Sequence, residues 1–318
     1  MLSLVIPIYR NESNLPRLFG ELERFAARLP DTLEVVFVVD GSPDRSLAVL
    51  RDRLPSWPVR SQLLELSRNF GSFSAIAAGL GEARGEYLAV IAADLQEPLE
   101  LIEEFHRLLK SGEAEVVLGY RTGRADPFWS RLPAECFWAL YRRFVVTDMP
   151  SGGVDVFGCA RHVRDQLLAL RETNTNLIAL LLWLGFHRAF VPYERRPRLE
   201  GRSAWTFGRK VRYAVDSVFS FTDLPVRALL MLGVLGTIFA VAAGMTVFVG
   251  WWLGRVPVLG YTPLMLVITF FGGLTALGLG IIGQYQWLSL QNSRNRPNFI
   301  VREATTFDSP RSTVPPAG

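Results

Sequence analysis

Apolar runs and polar breaks alternate regularly through the first part of the chain. Largely apolar runs occur at Leu2–Ile8, Leu33–Val39, Tyr87–Ile91 and Glu115–Gly119, and Ser61–Leu66 reads as a further strand. Runs of this length and purity read as strands buried on both faces. Between them the apolar positions change to helical spacing. Leu15, Leu18, Phe19, Leu22, Phe25 and Ala26 predict a helix ending near Arg28, with Ser13 or Asn14 as its cap and Pro16 in its first turn. Further helices are predicted over Ser46–Leu54, Ser72–Ala83 and Leu99–Lys110. Strict alternation of strand and helix predicts an α/β domain with an open, mostly parallel sheet and right-handed crossovers.

Three of these strands end in polar groups: Tyr9-Arg10-Asn11-Glu12, Asp40-Gly41-Ser42-Pro43-Asp44 and Ala93-Asp94-Leu95-Gln96-Glu97-Pro98. Taken alone, the last group reads equally well as a polar strand end, with Glu97, Glu100 and Glu103 favouring a helix N-terminus. Open α/β sheets, however, bind ligands outside the carboxyl ends of their strands, where three such groups converge. Oxygen-rich side chains there suit a hard cation, Mg²⁺ or Mn²⁺, bridging to a substrate diphosphate. No G-x-G-x-x-G follows the first strand and no P-loop lysine motif is present, which argues against dinucleotide and P-loop chemistry.

The later sequence differs in character. Phe128–Phe144 predicts an aromatic-rich helix for core or membrane-interface packing, and Arg161–Ala169 a further helix. Leu177–Phe186 is an apolar helix too short to span a bilayer. Phe207, Val211, Ala214, Val215, Val218 and Phe219 recur at helical spacing beside Arg209, Lys210 and Arg212, as in an interfacial helix. Val226–Leu253 and Pro263–Leu288 are long enough for tilted transmembrane helices, and the only charge in either is Arg227, near the start of the first. Basic residues flank the pair, so both termini are expected in the cytoplasm with the short Gly254–Thr262 connection outside. Glycines along both runs suit close helix contacts. The expected division is a cytoplasmic catalytic domain over 1–206, an interfacial helix over 207–224, two transmembrane helices within 225–290, and a cytoplasmic tail over 291–318. The last residues, Phe307–Gly318, are Ser-, Thr- and Pro-rich and read as disordered.

Composition agrees with this division. Hydrophobic residues make up 49% of the 318 positions and mean hydropathy is +0.21, with the excess between Pro225 and Leu290. Net charge is +4, carried mostly by arginine, since lysine occurs only at Lys110 and Lys210. That balance gives no argument for nucleic acid and suits an anionic membrane surface or phosphorylated substrates. Cys136 and Cys159 have no metal-ligand spacing and read as structural thiols in a reducing compartment. The start, Met1-Leu2-Ser3-Leu4-Val5-Ile6-Pro7, lacks a basic segment before its apolar run and reads as a strand rather than a signal peptide.

The three strand-end groups, together with Leu66-Ser67-Arg68-Asn69-Phe70-Gly71, Tyr193-Glu194-Arg195-Arg196-Pro197-Arg198, Gly201-Arg202-Ser203 and the two-span end, resemble family 2 glycosyltransferases of GT-A fold. The resemblance covers roughly residues 2–303 and is strongest to the polyprenyl-phosphate glycosyltransferases. It implies that Pro7, Tyr9 and Glu12 line a nucleotide pocket, that Asp40 faces the base, and that Ala93 and Asp94 touch the donor. Asp94 and Gln96 would be the metal ligands. Arg195, Arg198 and Ser203 would belong to a loop closing on the donor diphosphate. Arg121 and Arg131 would grip the acceptor phosphate through their planar donor forks. Asp155 lies where the family has an acid discussed as a base. A base is dispensable here, because a phosphate monoester loses its second proton near about pH 6.

This chain departs from the family pattern in three places. Val39 and Ala92 stand where acids are usual, and Ala204 stands where a lysine is usual. Loss of the acid at Ala92 leaves half of the usual acidic pair, so the cation depends more on diphosphate oxygens and water. Glu97 is a conservative stand-in for the acid that usually follows Gln96. The expected activity is inverting transfer of a sugar, from a UDP-sugar, to undecaprenyl phosphate or a similar lipid at the inner leaflet, by a homo-oligomer for which the resemblance suggests a tetramer. The alternatives are a catalytically impaired membrane scaffold, for which Val39, Ala92 and Ala204 speak, and a processive polysaccharide synthase. The second lacks its Q-x-x-R-W motif, since Gln291-Asn292-Ser293-Arg294 is followed by Asn295 beyond the last span.

Overall fold

Strand β1 (Leu2–Ile8) is buried along nearly its whole length. Leu4, Ile6 and Ile8 join the main apolar cluster, while Val5 lies against a helix on the opposite face. Two-sided burial is why this run is apolar at successive positions instead of alternating. The protein is described by a computed structural model covering residues 1–122, 154–170, 177–196, 224–253, 261–294 and 296–308. The expected helices at 128–144 and 207–223 and the end of the chain from 309 lie outside the described residues.

β1 pairs in parallel with β2 (Leu33–Val39) on one flank and β4 (Tyr87–Val90) on the other, and β2 pairs in parallel with β3 (Arg60–Leu66). β5 (Val116–Arg121) completes the strands that the apolar runs predict. Three strands were not expected. β6 (Val154–Ala160) lies antiparallel between β4 and β5, β7 (Arg188–Tyr193) pairs in parallel with β5, and β8 (Val301–Phe307) pairs antiparallel with β3. The eight strands run in the order β7-β5-β6-β4-β1-β2-β3-β8. Only β6 and β8 oppose the common direction, so the sheet is mixed and mostly parallel.

Helices cover both faces. On one side α1 (Leu15–Arg28) buries Leu15, Leu18, Phe19, Leu22 and Phe25, and α4 (Leu99–Ser111) buries Leu101, Ile102, Phe105, Leu108 and Leu109. α2 (Ser46–Arg53) adds Leu50, and Trp57 packs edge-on to Phe19 at 5.1 Å and tilted to Phe37 at 5.8 Å. On the other side α3 (Ser72–Glu82) approaches so closely that a Cβ at Gly79 would lie 2.4 Å from Val5 Cγ1. α5 (Arg161–Ala169) closes that helix, because buried Arg164 donates to the carbonyls of Leu80 and Ala83 at its C-terminus. α6 (Leu177–Trp183) is shorter than its expected extent to Phe186. Asn14 sits at the α1 N-cap without a side-chain hydrogen bond. The Asn11 carbonyl instead accepts the N–H groups of Asn14 and Leu15.

The chain divides into two units, 1–206 with 297–318, and 207–296. The segment read from sequence as a tail therefore contributes β8 to the first unit's sheet. In the second unit α7 (Leu224–Trp252) and α8 (Tyr261–Ser293) are 29 and 33 residues long. A Cβ at Gly236 would meet Phe271, and one at Gly278 would meet Leu229, a register that only antiparallel helices give. Some side chains along both helices lie outside the description. Among the described residues no helix is long and apolar enough to cross a membrane.

Candidate functional site

The sheet reverses its strand order at β1. From there the chain moves one way to β2 and β3, and β4 lies on the other side. Such a switch point opens a crevice outside the carboxyl ends of the two strands. The only two non-glycine residues with positive φ among the described residues, Arg10 (56°) and Leu95 (52°), sit just beyond β1 and β4 at that crevice. A left-handed residue with a Cβ costs about 1–2 kcal/mol and persists where the surroundings hold it. Leu95 is held by burial and by its N–H to the Ala92 carbonyl at 3.4 Å.

The turn after β4 sorts its residues by exposure. Ala93, Leu95, Gln96 and Glu97 are buried, while Ala92 and Asp94 are half-buried and open to the crevice. Gln96 N–H donates to Asp94 Oδ1 at 3.4 Å. The Gln96 side-chain amide donates to the Arg196 carbonyl at 3.2 Å, and the Gln96 carbonyl accepts Arg196 N–H at 2.9 Å. Arg195 lies 3.6 Å from the buried Glu97 carboxylate, and Arg196 lies 3.4 Å from Glu100. The segment after β7 is thus fastened to the acidic turn. A buried carboxylate needs a nearby cation to offset its desolvation, and Arg195 supplies one.

Glu12 and the β2 end form a second lattice. Glu12 N–H donates to Asp44 Oδ2 at 3.1 Å, while Glu12 Oε2 accepts Arg45 N–H at 3.0 Å. Arg10 N–H donates to Ser42 Oγ at 2.8 Å and Asn11 N–H to Ser46 Oγ at 3.2 Å. Burial pushes the Asp44 carboxyl up, but hydrogen bonds from Ser42, Ser46 and the N–H of Glu12 outweigh it and hold it below the usual carboxylate range. Glu12 therefore ties two loops together. Tyr9 remains exposed with the Arg10 guanidinium 5.4 Å from its ring centre, and Pro7 is half-buried.

Asp40, expected to face the base, is 3% exposed. Its two carboxylate oxygens accept the N–H groups of Phe70 at 2.7 Å and Gly71 at 2.9 Å, and its carbonyl accepts the Asn69 amide at 3.1 Å. Burial raises its pKa against the lowering effect of those two N–H groups. Gly41 (φ +56°) follows, where a Cβ would lie 2.4 Å from the backbone of Arg68 and Asn69. Asp40 and Gly41 thus clamp the Ser67–Gly71 loop onto the end of β2. Nothing local in the sequence joins these two segments, and only the sheet brings them together.

The remaining predicted residues divide by position. Arg121 ends β5 at the same sheet edge as Asp94, and Thr122 N–H donates to the Tyr193 carbonyl at the end of β7 at 3.0 Å. Asp155 is the second residue of β6, which begins between the ends of β4 and β5, so its backbone lies at that edge as well. Arg131, Arg198 and Ser203 lie outside the described residues. Among the described residues no group of three His, Cys, Asp or Glu side chains is placed to hold a metal. One carboxylate, Asp94, and one amide oxygen, on Gln96, still suit an octahedral cation that takes its other ligands from a diphosphate and water. The donor set therefore fits Mg²⁺ or Mn²⁺ in the presence of a nucleotide.

Residues 3–168 match the family described as Glycosyl transferase family 2. The uncharacterized glycosyltransferase sll0501 of Synechocystis sp. is 33% identical over 303 residues, covering 95% of each chain. The putative glycosyltransferase CsbB of Bacillus subtilis is 30% identical over 304 residues, covering 96% of this chain and 92% of that one. The SfII prophage-derived bactoprenol glucosyl transferase of Shigella flexneri is 28% identical over 304 residues, covering 95% of this chain and 98% of that one. The strand-end acids, the arginine segment fastened to them and the match over more than half the chain lead to one assignment: the protein belongs to glycosyltransferase family 2 and is a glycosyltransferase.

Proposed function

We propose that the protein transfers a monosaccharide from a nucleotide-diphosphate sugar to a polyprenyl phosphate at the cytoplasmic face of a membrane. One observation carries this reading: the arginines after β7 are fastened to the Asp94–Glu97 turn at the β1/β4 switch point. That arrangement brings cationic side chains to a carboxylate and amide suited to a cation-bound diphosphate. Relatives named bactoprenol glucosyl transferase, matched over 95% of this chain, support a polyprenyl phosphate as acceptor.

The chemistry follows from charge. An acceptor phosphate oxygen attacks the anomeric carbon as the bond from that carbon to the diphosphate oxygen breaks, with inversion. Asp94 and Gln96 would hold Mg²⁺ or Mn²⁺. When bound, that ion supplies positive charge to the departing diphosphate. Arg195 adds a second cation on the same side. Arg121, at the end of β5, would grip the acceptor phosphate with its planar fork, and Asp155 would position that phosphate. The acceptor is already largely dianionic at neutral pH, so no proton need be removed.

The membrane reading rests on the whole sequence of α7 and α8. At 1.5 Å per residue, 29 residues extend roughly 43 Å, more than the ~30 Å apolar thickness of a bilayer. Leu230, Met231, Leu235, Ile238, Phe239, Phe270 and Leu279 are all exposed on these helices, as lipid-facing residues are. In this reading both termini are cytoplasmic, the helices anchor the enzyme in the inner membrane, and copies of the chain associate.

The test is a donor screen with full-length protein, undecaprenyl phosphate and Mg²⁺ or Mn²⁺, scored for lipid-linked monosaccharide. Turnover with one nucleotide sugar is the expected result. No turnover with any donor, in protein that also binds no nucleotide, overturns the reading and leaves a membrane scaffold.

A further inference from the structure

We infer that Arg302, on the strand that follows the two long helices, is a positioning residue for the nucleotide pocket. The inference rests on the reading above, taken together with the expectation that Asp40, just beyond β2, faces the base of the donor nucleotide. The chain leaves β3 through Ser67 and enters the Arg68–Gly71 loop. Both backbone groups of Ser67 are taken by the start of β8. Ser67 N–H donates to the Ile300 carbonyl at 2.9 Å, and the Ser67 carbonyl accepts Arg302 Nη2 at 3.1 Å. The other arm of the same guanidinium, Nη1, donates to Glu65 Oε1 at 2.7 Å. One rigid fork therefore spans the last residues of β3 and the first residue of the loop.

Glu65 is the fixed point of this bridge. It is 7% exposed and its other oxygen accepts Arg51 Nη2 at 2.9 Å. The ladder between β3 and β8 is irregular at Glu65/Leu66, just where the fork acts. A bulge loosens the backbone at a strand end, and Arg302 spans it. Beyond Ser67 the loop is held by Asp40, whose N–H in turn donates to the Ile8 carbonyl at 3.0 Å. The contacts form one continuous series, Arg302 to Ser67, through Phe70 and Gly71 to Asp40, and on to β1. Arg302 acts through the loop, since its contacts are with Glu65 and Ser67.

Arg51 is the internal control. It pairs with the same Glu65, and with Glu303, but donates nothing to Ser67. Full-length wild type, Arg302→Ala, Arg302→Lys and Arg51→Ala are titrated with UDP and with GDP by calorimetry. Amide hydrogen exchange of residues 67–71 is measured on the same proteins without nucleotide. For the nucleotide that the wild type binds, Arg302→Ala is expected to raise Kd about tenfold, as the loss of its charge-assisted bond to the Ser67 carbonyl releases the loop. Arg302→Lys, which keeps the charge but not the fork, gives an intermediate rise. Arg51→Ala stays within about twofold of wild type. Exchange at Phe70 and Gly71 rises in Arg302→Ala and not in Arg51→Ala.

Equal effects of Arg302→Ala and Arg51→Ala on Kd and on exchange would mean that Glu65 is only an electrostatic staple, and would overturn the inference. Unchanged Kd and exchange in Arg302→Ala overturn it too. If the wild type binds neither nucleotide, the functional reading of this corner fails, and the exchange data alone decide whether Arg302 positions the loop.

Discussion

Gln96 and Arg196 are joined twice, once through their backbones and once through the Gln96 amide. The residue proposed to offer an oxygen to a cation is thereby held by the residue that follows Arg195. The donor turn and the arginine segment cannot move independently, so a substitution in one is felt in the other.

Asp94 is half-buried, and its carboxylate accepts Gln96 N–H. Asp94→Ala is expected to reduce transfer by at least about 100-fold with little change in Tm. Gln96→Ala loses an oxygen ligand and the side-chain half of the tie to Arg196, leaving the backbone bond, so it lowers kcat and also raises the KM for donor. Steady-state kinetics and a melting curve on the same preparations check both. Full activity in Asp94→Ala would remove it from the metal site.

Gly41→Ala strains the αL position by about 1–2 kcal/mol and drives a methyl group into the Arg68–Asn69 backbone. The loop must retreat from Asp40. The expected result is nucleotide affinity weakened roughly tenfold, read by titration, with a melting temperature lowered by only a few degrees. An unaltered affinity would separate the clamp from the pocket.

Gly79 presents the opposite case, a close approach far from chemistry. Gly79→Ala would put a Cβ 2.4 Å from Val5 Cγ1 and 2.9 Å from Val38 Cγ2. Overpacking of that kind costs about 1–3 kcal/mol. Adding Val5→Ala should recover part of the loss, since it removes the methyl group in the way. Denaturant titration of the single and double variants checks the pair, and strict additivity would contradict it.

His106 gives the fold its acid sensitivity. The ring is 3% exposed, Nε2 lies 2.8 Å from Asp31 Oδ2, and Nδ1 is buried without a hydrogen-bond partner among the described residues. Burial lowers the imidazole pKa below 6.5, against the raising effect of Asp31. The unfolded chain takes up this proton first as pH falls. The contribution of His106 is therefore fully present above about pH 6.5 and is lost below it, toward the lowered folded value. Asp31 is shifted down by Lys110 and then His106, so its own contribution disappears only in stronger acid, below the ordinary carboxylate pKa. His106→Gln should flatten the dependence of Tm on pH between about 5 and 7. The same slope in wild type and variant would assign the effect elsewhere.

The strands that the sequence reveals are the ones buried on both faces. β1 and β2 match their apolar runs from first residue to last, and α1 matches its stripe. β7 and β8 lie at the two edges of the sheet, and their half-exposed residues leave no apolar run to read. Pro192 in β7 is tolerated at an edge, yet in a sequence it counts against a strand. β6 is hidden for another reason. Its Gly158 looks like a breaker, but the missing side chain leaves room for Phe105, which would lie 3.2 Å from a Cβ there; Gly119 on β5 makes the same room. At the site, the acids after β1, β2 and β4 were legible from their place at strand ends. The partners of Glu12, Asp40 and Gln96 were not, because each lies about 30 or more residues away and only the sheet order joins them.

The late position of β8 in the chain has a consequence for biosynthesis. The ribosome must deliver both long helices before the strand that covers β3 exists. Throughout that interval the nascent enzyme carries an open sheet edge at Ser61–Leu66, and open edges recruit other chains. Shortening the protein after the second helix, to make a smaller enzyme, would leave that edge bare permanently. A soluble version is better made by joining residue 206 to residue 297 through a linker, which keeps the closing strand and discards the second unit.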